Sequence, residues 1–196
     1  MFQVRIHGRG GQGVVTAAEL LAVAAFDEGR YAQAFPSFGS ERMGAPVVSY
    51  CRIDDQPIRT REPVMEPDAL IIQDVTLIHQ VDLFAGLSPD GYLLVNTART
   101  LEELGLGAVG RQLPPDHLAN CPATDIALEQ LGRPLPNAAL IAGFAALTGL
   151  LDLASVDQAI RQRFPGAVGE RNVAAADAAF RHVDTTKTET ARVAPD

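Results

Sequence analysis

Cysteine is scarce: the 196 residues include only Cys51 and Cys121, far apart and with no histidine or cysteine at ligand spacing. An iron-sulfur cluster takes four cysteines in recognisable runs and structural zinc takes four ligands, so this chain alone assembles neither. Both thiols read as buried and free. Lysine is nearly absent too, with Lys187 the sole example in a chain of net charge −8. That balance excludes a nucleic-acid surface and fits a soluble, cytoplasmic protein. Met1 opens directly into domain-like sequence, so no secretory leader is expected. The uncharged run from Leu135 to Leu151 is broken by Pro136, Asn137, Gly143 and Gly149. A helix of about 13 residues within it would span only ~20 Å, which suits a buried helix better than a membrane span. The four histidines, His7, His79, His117 and His182, stand beside no candidate nucleophile and read as structural.

Glycine, by contrast, is concentrated where it matters. An apolar strand, Phe2 to His7, runs into Gly8-Arg9-Gly10-Gly11-Gln12-Gly13 and then into a helix-forming run, Val14 to Phe26. Four glycines in six residues permit a tight turn and leave backbone N–H groups at a helix N-terminus, where the helix dipole favours an anion. The spacing satisfies G-x-G-x-x-G between a strand and a helix. A dinucleotide fold also needs an Asp or Glu about 20 residues on, at the end of the second strand. Here that strand, Tyr31 to Phe35, ends in Phe35-Pro36-Ser37 with no acid, and Asp27 and Glu28 precede it.

Further along, Pro46 to Ile53, Ala69 to Gln73 and Tyr92 to Asn96 read as strands, the last two as short buried runs. Thr76 to Phe84 reads as a crossover helix and Ala108 to Leu113 as one more strand. The rhythm predicts an α/β fold: an open, mostly parallel sheet flanked by helices on both faces, in three layers, with a helical C-terminal third. Ala123 to Leu131, Asn137 to Thr148, Val156 to Phe164 and Val168 to His182 carry helical spacing, with Ser155 and Gln158 placed as a capping box. Gly149 and Pro165 sit where helices stop. Residues 1–183 read as a single domain and 184–196 as a disordered tail.

In such a sheet, ligands collect beyond the carboxyl ends of the strands. The Gly8 to Gly13 loop, Gln73-Asp74 and Asn96-Thr97 should therefore form one polar rim, with Asp74 and Asn96 either contacting a ligand or capping turns. Phe38 to Pro46, carrying Ser40, Glu41, Arg42, Met43 and Gly44, adds nothing to a core and is a candidate partner or ligand contact. Arg42, Arg59 and Arg61 lie close enough in sequence for a local basic patch suited to a phosphate or carboxylate, or else are solvated surface arginines, the favoured reading.

The ordered series of motifs is more specific than the glycines. Arg5-Ile6-His7, the glycine loop, Thr16 to Leu21, Tyr31 to Gly39 and Glu41 to Val47 together resemble the gamma subunit of the pyruvate:ferredoxin oxidoreductases. The likeness continues through Arg52 to Asp55, Glu66-Pro67-Asp68, Gln73-Asp74, Val95-Asn96-Thr97, Leu131 to Pro134, Asn137, Thr148-Gly149-Leu150 and Arg163 to Gly166. It covers about residues 1–183. The resemblance implies a complex that decarboxylates a 2-oxoacid oxidatively on thiamine diphosphate with Mg, passes electrons through iron-sulfur clusters to ferredoxin, and acylates coenzyme A. It implies that alpha, beta and delta subunits hold those groups, while the gamma chain is catalytically silent alone. By the same resemblance, Gly8, Arg9, Gly10, Gly11, Gln12 and Gly13 border the coenzyme A route, as do Ser40 to Gly44, with Met43 where relatives carry a second arginine. Against this stands a different class, a stand-alone Rossmann-like nucleotide-binding oxidoreductase.

Overall fold

The computed structural model describes residues 1–37 and 43–193, with side chains through Lys187. Twelve elements follow one another among these residues: β1 (Phe2–Arg9), α1 (Val14–Asp27), β2 (Tyr31–Pro36), β3 (Pro46–Asp54), β4 (Ala69–Ile72), β5 (Tyr92–Asn96), α2 (Gly107–Gly110), β6 (Leu118–Cys121), α3 (Ala123–Leu131), α4 (Asn137–Thr148), α5 (Leu153–Arg163) and α6 (Ala167–Val193). The strands form one sheet in the order β2-β3-β1-β4-β5-β6. β1, β4, β5 and β6 pair in parallel, whereas β3 runs antiparallel to both β1 and β2.

Two-residue periodicity sorts the sheet's side chains. Val4 and Ile6 of β1, Ala69 and Ile71 of β4, Leu94 of β5 and Cys121 of β6 pack into one core with α1, α4, α5 and α6. Leu70, Ile72, Leu93 and Val95 point the other way, into a second cluster with Leu77, Leu83, Leu101 and Leu113. The first face is thus covered by long helices, the second by α2, by the short 3-10 turn at Val75–His79 and by the loops around them.

The uncharged run Leu135 to Leu151 contains an internal helix, since every residue of α4 from Asn137 to Leu147 is buried. A Cβ on Gly143 would lie 3.3 Å from Val183 and 3.6 Å from Cys121 Sγ, so α4 sits close between the sheet and α6. Among the described residues no helix is long and apolar enough to cross a membrane.

Four local expectations are corrected. Thr76 to Phe84 makes only the 3-10 turn Val75–His79, whose Asp74 caps Thr76 N–H. Its buried residues, Leu77 and Leu83, are six apart and give an α-helix no continuous stripe. Ala108 to Leu113 is not a strand; the sixth strand is Leu118–Cys121, after the Pro114-Pro115 turn. The Ser155/Gln158 capping box does not form, because α5 begins earlier at Leu153, and the N–H of its N-cap residue, Asp152, donates to Glu28 Oε1 at 2.8 Å. Finally, the segment from residue 184, expected to be a disordered tail, continues α6 to Val193. Val183 is fully buried there, and Lys187 Nζ donates to the Leu147 carbonyl at the end of α4 at 2.8 Å.

Candidate functional site

At the carboxyl ends of β1, β4 and β5 the three expected segments meet in one hydrogen-bonded rim. Gln12 Nε2 donates to Asp74 Oδ2 at 2.7 Å, and Gln73 Nε2 donates to the Gln12 carbonyl at 2.5 Å. Asn96 Nδ2 donates to the Gln73 carbonyl at 2.9 Å and to Thr124 Oγ1 at 2.8 Å, while its Oδ1 accepts from Thr124 N–H at 3.1 Å. Asn96 therefore ties β4, β5 and α3 together and has spent both amide donors inside the fold. Asp74 serves two purposes: it caps the following 3-10 turn through Thr76, and it receives Arg9 Nε at 3.3 Å. These bonds hold its carboxyl below the usual range against the opposing effect of burial.

Much of the glycine loop is already engaged. Gly10 N–H donates to the Ala45 carbonyl and Gly44 N–H to the Gly10 carbonyl, so the loop lies against residues 44 and 45. Arg9 donates to Thr76 Oγ1, Gln80 Oε1 and the Gly44 carbonyl, which turns its guanidinium away from the helix N-terminus. Arg9 N–H is taken by Gln12 Oε1 at 2.8 Å and Gln12 N–H by the Arg9 carbonyl at 3.0 Å. Acceptors are lacking, among the described residues, for the N–H groups of Gly11, Gly13 and the first turn of α1, Val14 to Thr16. The amides left for an outside acceptor are consequently fewer than the six-residue loop suggests, and Arg9 is already committed within the fold.

Two glycines are required by this geometry. Gly13 caps α1 in the left-handed conformation, φ +75°, and a Cβ there would fall 2.2 Å from Asn137 Nδ2. Gly11 has φ +89°, and a Cβ would meet Met43 Sδ at 2.3 Å. Met43 thus lies across the loop while 87% exposed. Asn137, at the start of α4, accepts from Gln73 Nε2 at 3.2 Å and belongs to the rim. Sequence reasoning placed it only within a family motif, because nothing local signals that α4 begins against Gly13. Gly44 joins the loop as described, Ser40, Glu41 and Arg42 lie outside the described residues, and Arg59 and Arg61 are exposed.

Beneath the loop, His7 is 5% exposed with neither ring nitrogen hydrogen-bonded. Burial, with the neighbouring Arg5 charge, lowers its pKa from 6.5 to about 4. The imidazole is neutral in the fold, and the unfolded chain takes up a proton first as pH falls. Stability is therefore full above about pH 6.5 and declines toward pH 4, by up to about 3 kcal/mol for this one group. Denaturant titrations at pH 7.5 and 4.5 should show that loss in the wild type and a smaller one in His7→Leu; equal losses would refute the assignment.

The two thiols are pushed up to about 12 by burial. Cys51 on β3 and Cys121 on β6 are four strand positions apart, roughly 19 Å at ~4.8 Å per strand, so they share no ligand site. An iron-sulfur cluster does not fit this chain's residues. The order of the strands also argues against the dinucleotide alternative. β3 lies between β1 and β2, so the strand after α1 is not β1's neighbour, as a nucleotide-binding half requires.

The chain is a mixed α/β sheet whose parallel strands carry this hydrogen-bonded rim at their carboxyl ends. Residues 3–182 match the pyruvate ferredoxin/flavodoxin oxidoreductase family, and the chain belongs to it as a gamma-type subunit of a 2-oxoacid:ferredoxin oxidoreductase complex. It is 50% identical over 180 residues to the pyruvate/ketoisovalerate oxidoreductases common subunit gamma of Thermococcus kodakarensis, covering 92% of this chain and 96% of that one. It is 46% identical over 180 residues to the pyruvate synthase subunit PorC of Methanothermobacter marburgensis, with the same coverage. The crystal structure of the pyruvate oxidoreductase subunit PORC from Thermotoga maritima superposes with a TM-score of 0.77 at 33% identity, over 92% of this chain and 95% of that one.

Proposed function

We propose that this chain is the non-catalytic gamma subunit of a thiamine-diphosphate-dependent, coenzyme A-acylating 2-oxoacid oxidoreductase in the cytoplasm. It packs as one domain, residues 1–183, against the alpha, beta and delta subunits, and its glycine loop borders the path of coenzyme A. Those companions hold thiamine diphosphate, Mg and the iron-sulfur clusters. The observation that carries this reading is the rim itself: free amides at Gly11, Gly13 and the start of α1 lie beside Met43, and the polar side chains around them are occupied with one another. Such a surface offers shape and N–H donors to a phosphate or to a neighbouring backbone.

The experiment compares wild type with Gly11→Ala in the assembled complex. The added methyl displaces Met43 from the loop, at a position where φ +89° already disfavours any side chain. The KM for coenzyme A should rise several-fold while the KM for the 2-oxoacid stays constant. An unchanged coenzyme A KM in a complex that assembles normally would reduce the loop to a scaffold.

A further inference from the structure

On the helical face of the sheet, a cavity of about 280 Å³ opens between the first turn of α1, the α3–α4 connection and the α5–α6 corner. Its wall is apolar at Leu131 and Phe164. Its lip carries Leu135 and Val168, which are 38% and 57% exposed. Arg133 and Arg171 complete the lining from either side. Among the other described arginines, Arg9, Arg30 and Arg161 lie against carboxylates, Arg5, Arg52 and Arg99 donate to carbonyls, and Arg163 lies over the Phe164 ring. Arg133 and Arg171 have neither an ion pair nor a hydrogen bond among the described residues.

The polar part of the lining points the same way. α4 starts at the cavity through Asn137, its N-cap Pro136 offers no side-chain acceptor, and no acidic residue sits in its first turn. Asn172 is 5% exposed; its Nδ2 donates to the Val168 carbonyl at 2.8 Å, and its Oδ1 has no protein donor among the described residues. Two uncompensated guanidinium groups and an uncapped helix start thus surround an apolar hollow with an exposed apolar lip.

We propose that this cavity is the docking point for an acidic segment of a companion subunit, one that places an apolar side chain in the hollow and an adjacent carboxylate between Arg133 and Arg171. Charge complementarity selects the carboxylate. The exposed apolar lip selects a protein segment over a free metabolite. A small ligand in the hollow would leave Leu135 and Val168 in water. A chain laid over the cavity covers both, and fully desolvated arginines are frequent anchors of such interfaces. This docking rests on the gamma-subunit reading; the cavity adjoins the glycine rim through Thr16 and Asn137, while Arg133 and Arg171 lie outside that rim.

The test is assembly of the full complex from co-expressed subunits, with dissociation constants measured from 50 to 500 mM NaCl. Arg133→Glu/Arg171→Glu should weaken association at least tenfold at low salt and flatten its salt dependence. Val168→Ser, which changes only an exposed lip residue, should weaken it several-fold. Arg181→Glu, a charge reversal on exposed α6 away from the cavity, should assemble like wild type, and melting curves of the isolated variants should match the parent. Equal affinity and salt slope for the double variant would overturn the proposal. So would submillimolar binding of butyrate or a 2-oxoacid to the isolated wild-type chain that is lost in the double variant, since that makes the cavity a metabolite site. If the wild-type chain joins no complex with thiamine- and cluster-bearing subunits, the gamma reading itself fails and this docking with it.

Discussion

Gly13→Val should abolish incorporation of the chain into its complex. The substitution asks a β-branched residue to adopt φ +75° and puts its Cβ 2.2 Å from Asn137 Nδ2. Asn137 cannot retreat freely, because its Oδ1 is held by Gln73, whose amide also holds the Gln12 carbonyl. The conformational cost is about 1–2 kcal/mol, and breaking the buried Gln73–Asn137 pairing costs about 1–3 kcal/mol more. A total near 4 kcal/mol corresponds to a fall of roughly 8–16 °C in Tm for a domain of this size. Gly29 is the control: its φ is +80°, but nothing lies within 4 Å of its Cβ position. Gly29→Ala should therefore lose only the conformational part and still assemble. Comparable damage from both would mean that the contact with Asn137 is irrelevant.

Arg5→Ala should be the most destabilising single charge removal. Arg5 sits on β1, facing the side of the sheet that has no long helix, and is 7% exposed. Its Nη2 donates to the Leu83 and Ala85 carbonyls at 2.9 and 2.6 Å, and its Nη1 to the Val64 carbonyl at 3.4 Å. Burial lowers its pKa, with the Tyr50 and Asp82 charges opposing that shift. One guanidinium thus fastens two crossing loops to the sheet where regular structure does not. Truncation leaves those carbonyls without a donor and opens a cavity, for an expected loss of about 3–5 kcal/mol in urea titrations. Arg5→Met, which retains the stem's packing, should recover part of it. A loss under about 1 kcal/mol for Arg5→Ala would show that water satisfies the loops unaided.

The parts of this fold that the sequence made legible are those governed by periodicity and by topology. Alternation in β1 and β3, the unbroken apolar run of α4 and the stop at Gly149, which adopts φ +63°, were all readable. The rim was readable too, because the carboxyl ends of parallel strands must share one edge. β6 was not, since four residues that include Asn120 carry no period. The true start of α5 was hidden because its N-cap, Asp152, makes no side-chain cap and its N–H is bound by Glu28, 124 residues away. The helical continuation past residue 184 depends on packing against α4, which a polar local sequence does not announce. Of the site, the amides Gly10 shares with Ala45 and the diversion of Arg9 to Thr76 are long-range facts that motif spacing could not supply. The cavity between Arg133 and Arg171 joins residues from α1 to α6 and has no linear signature.

We propose a division of labour in which this chain shapes and lines the complex while its companions carry out the chemistry. The direct measurement is coenzyme A-dependent oxidation of a 2-oxoacid, followed by reduction of a ferredoxin-type acceptor. It is made with the purified chain, with the companion subunits lacking it, and with the two recombined. No turnover is expected from the chain alone and full turnover only on recombination; turnover by the isolated chain, or undiminished turnover without it, would refute that division of labour.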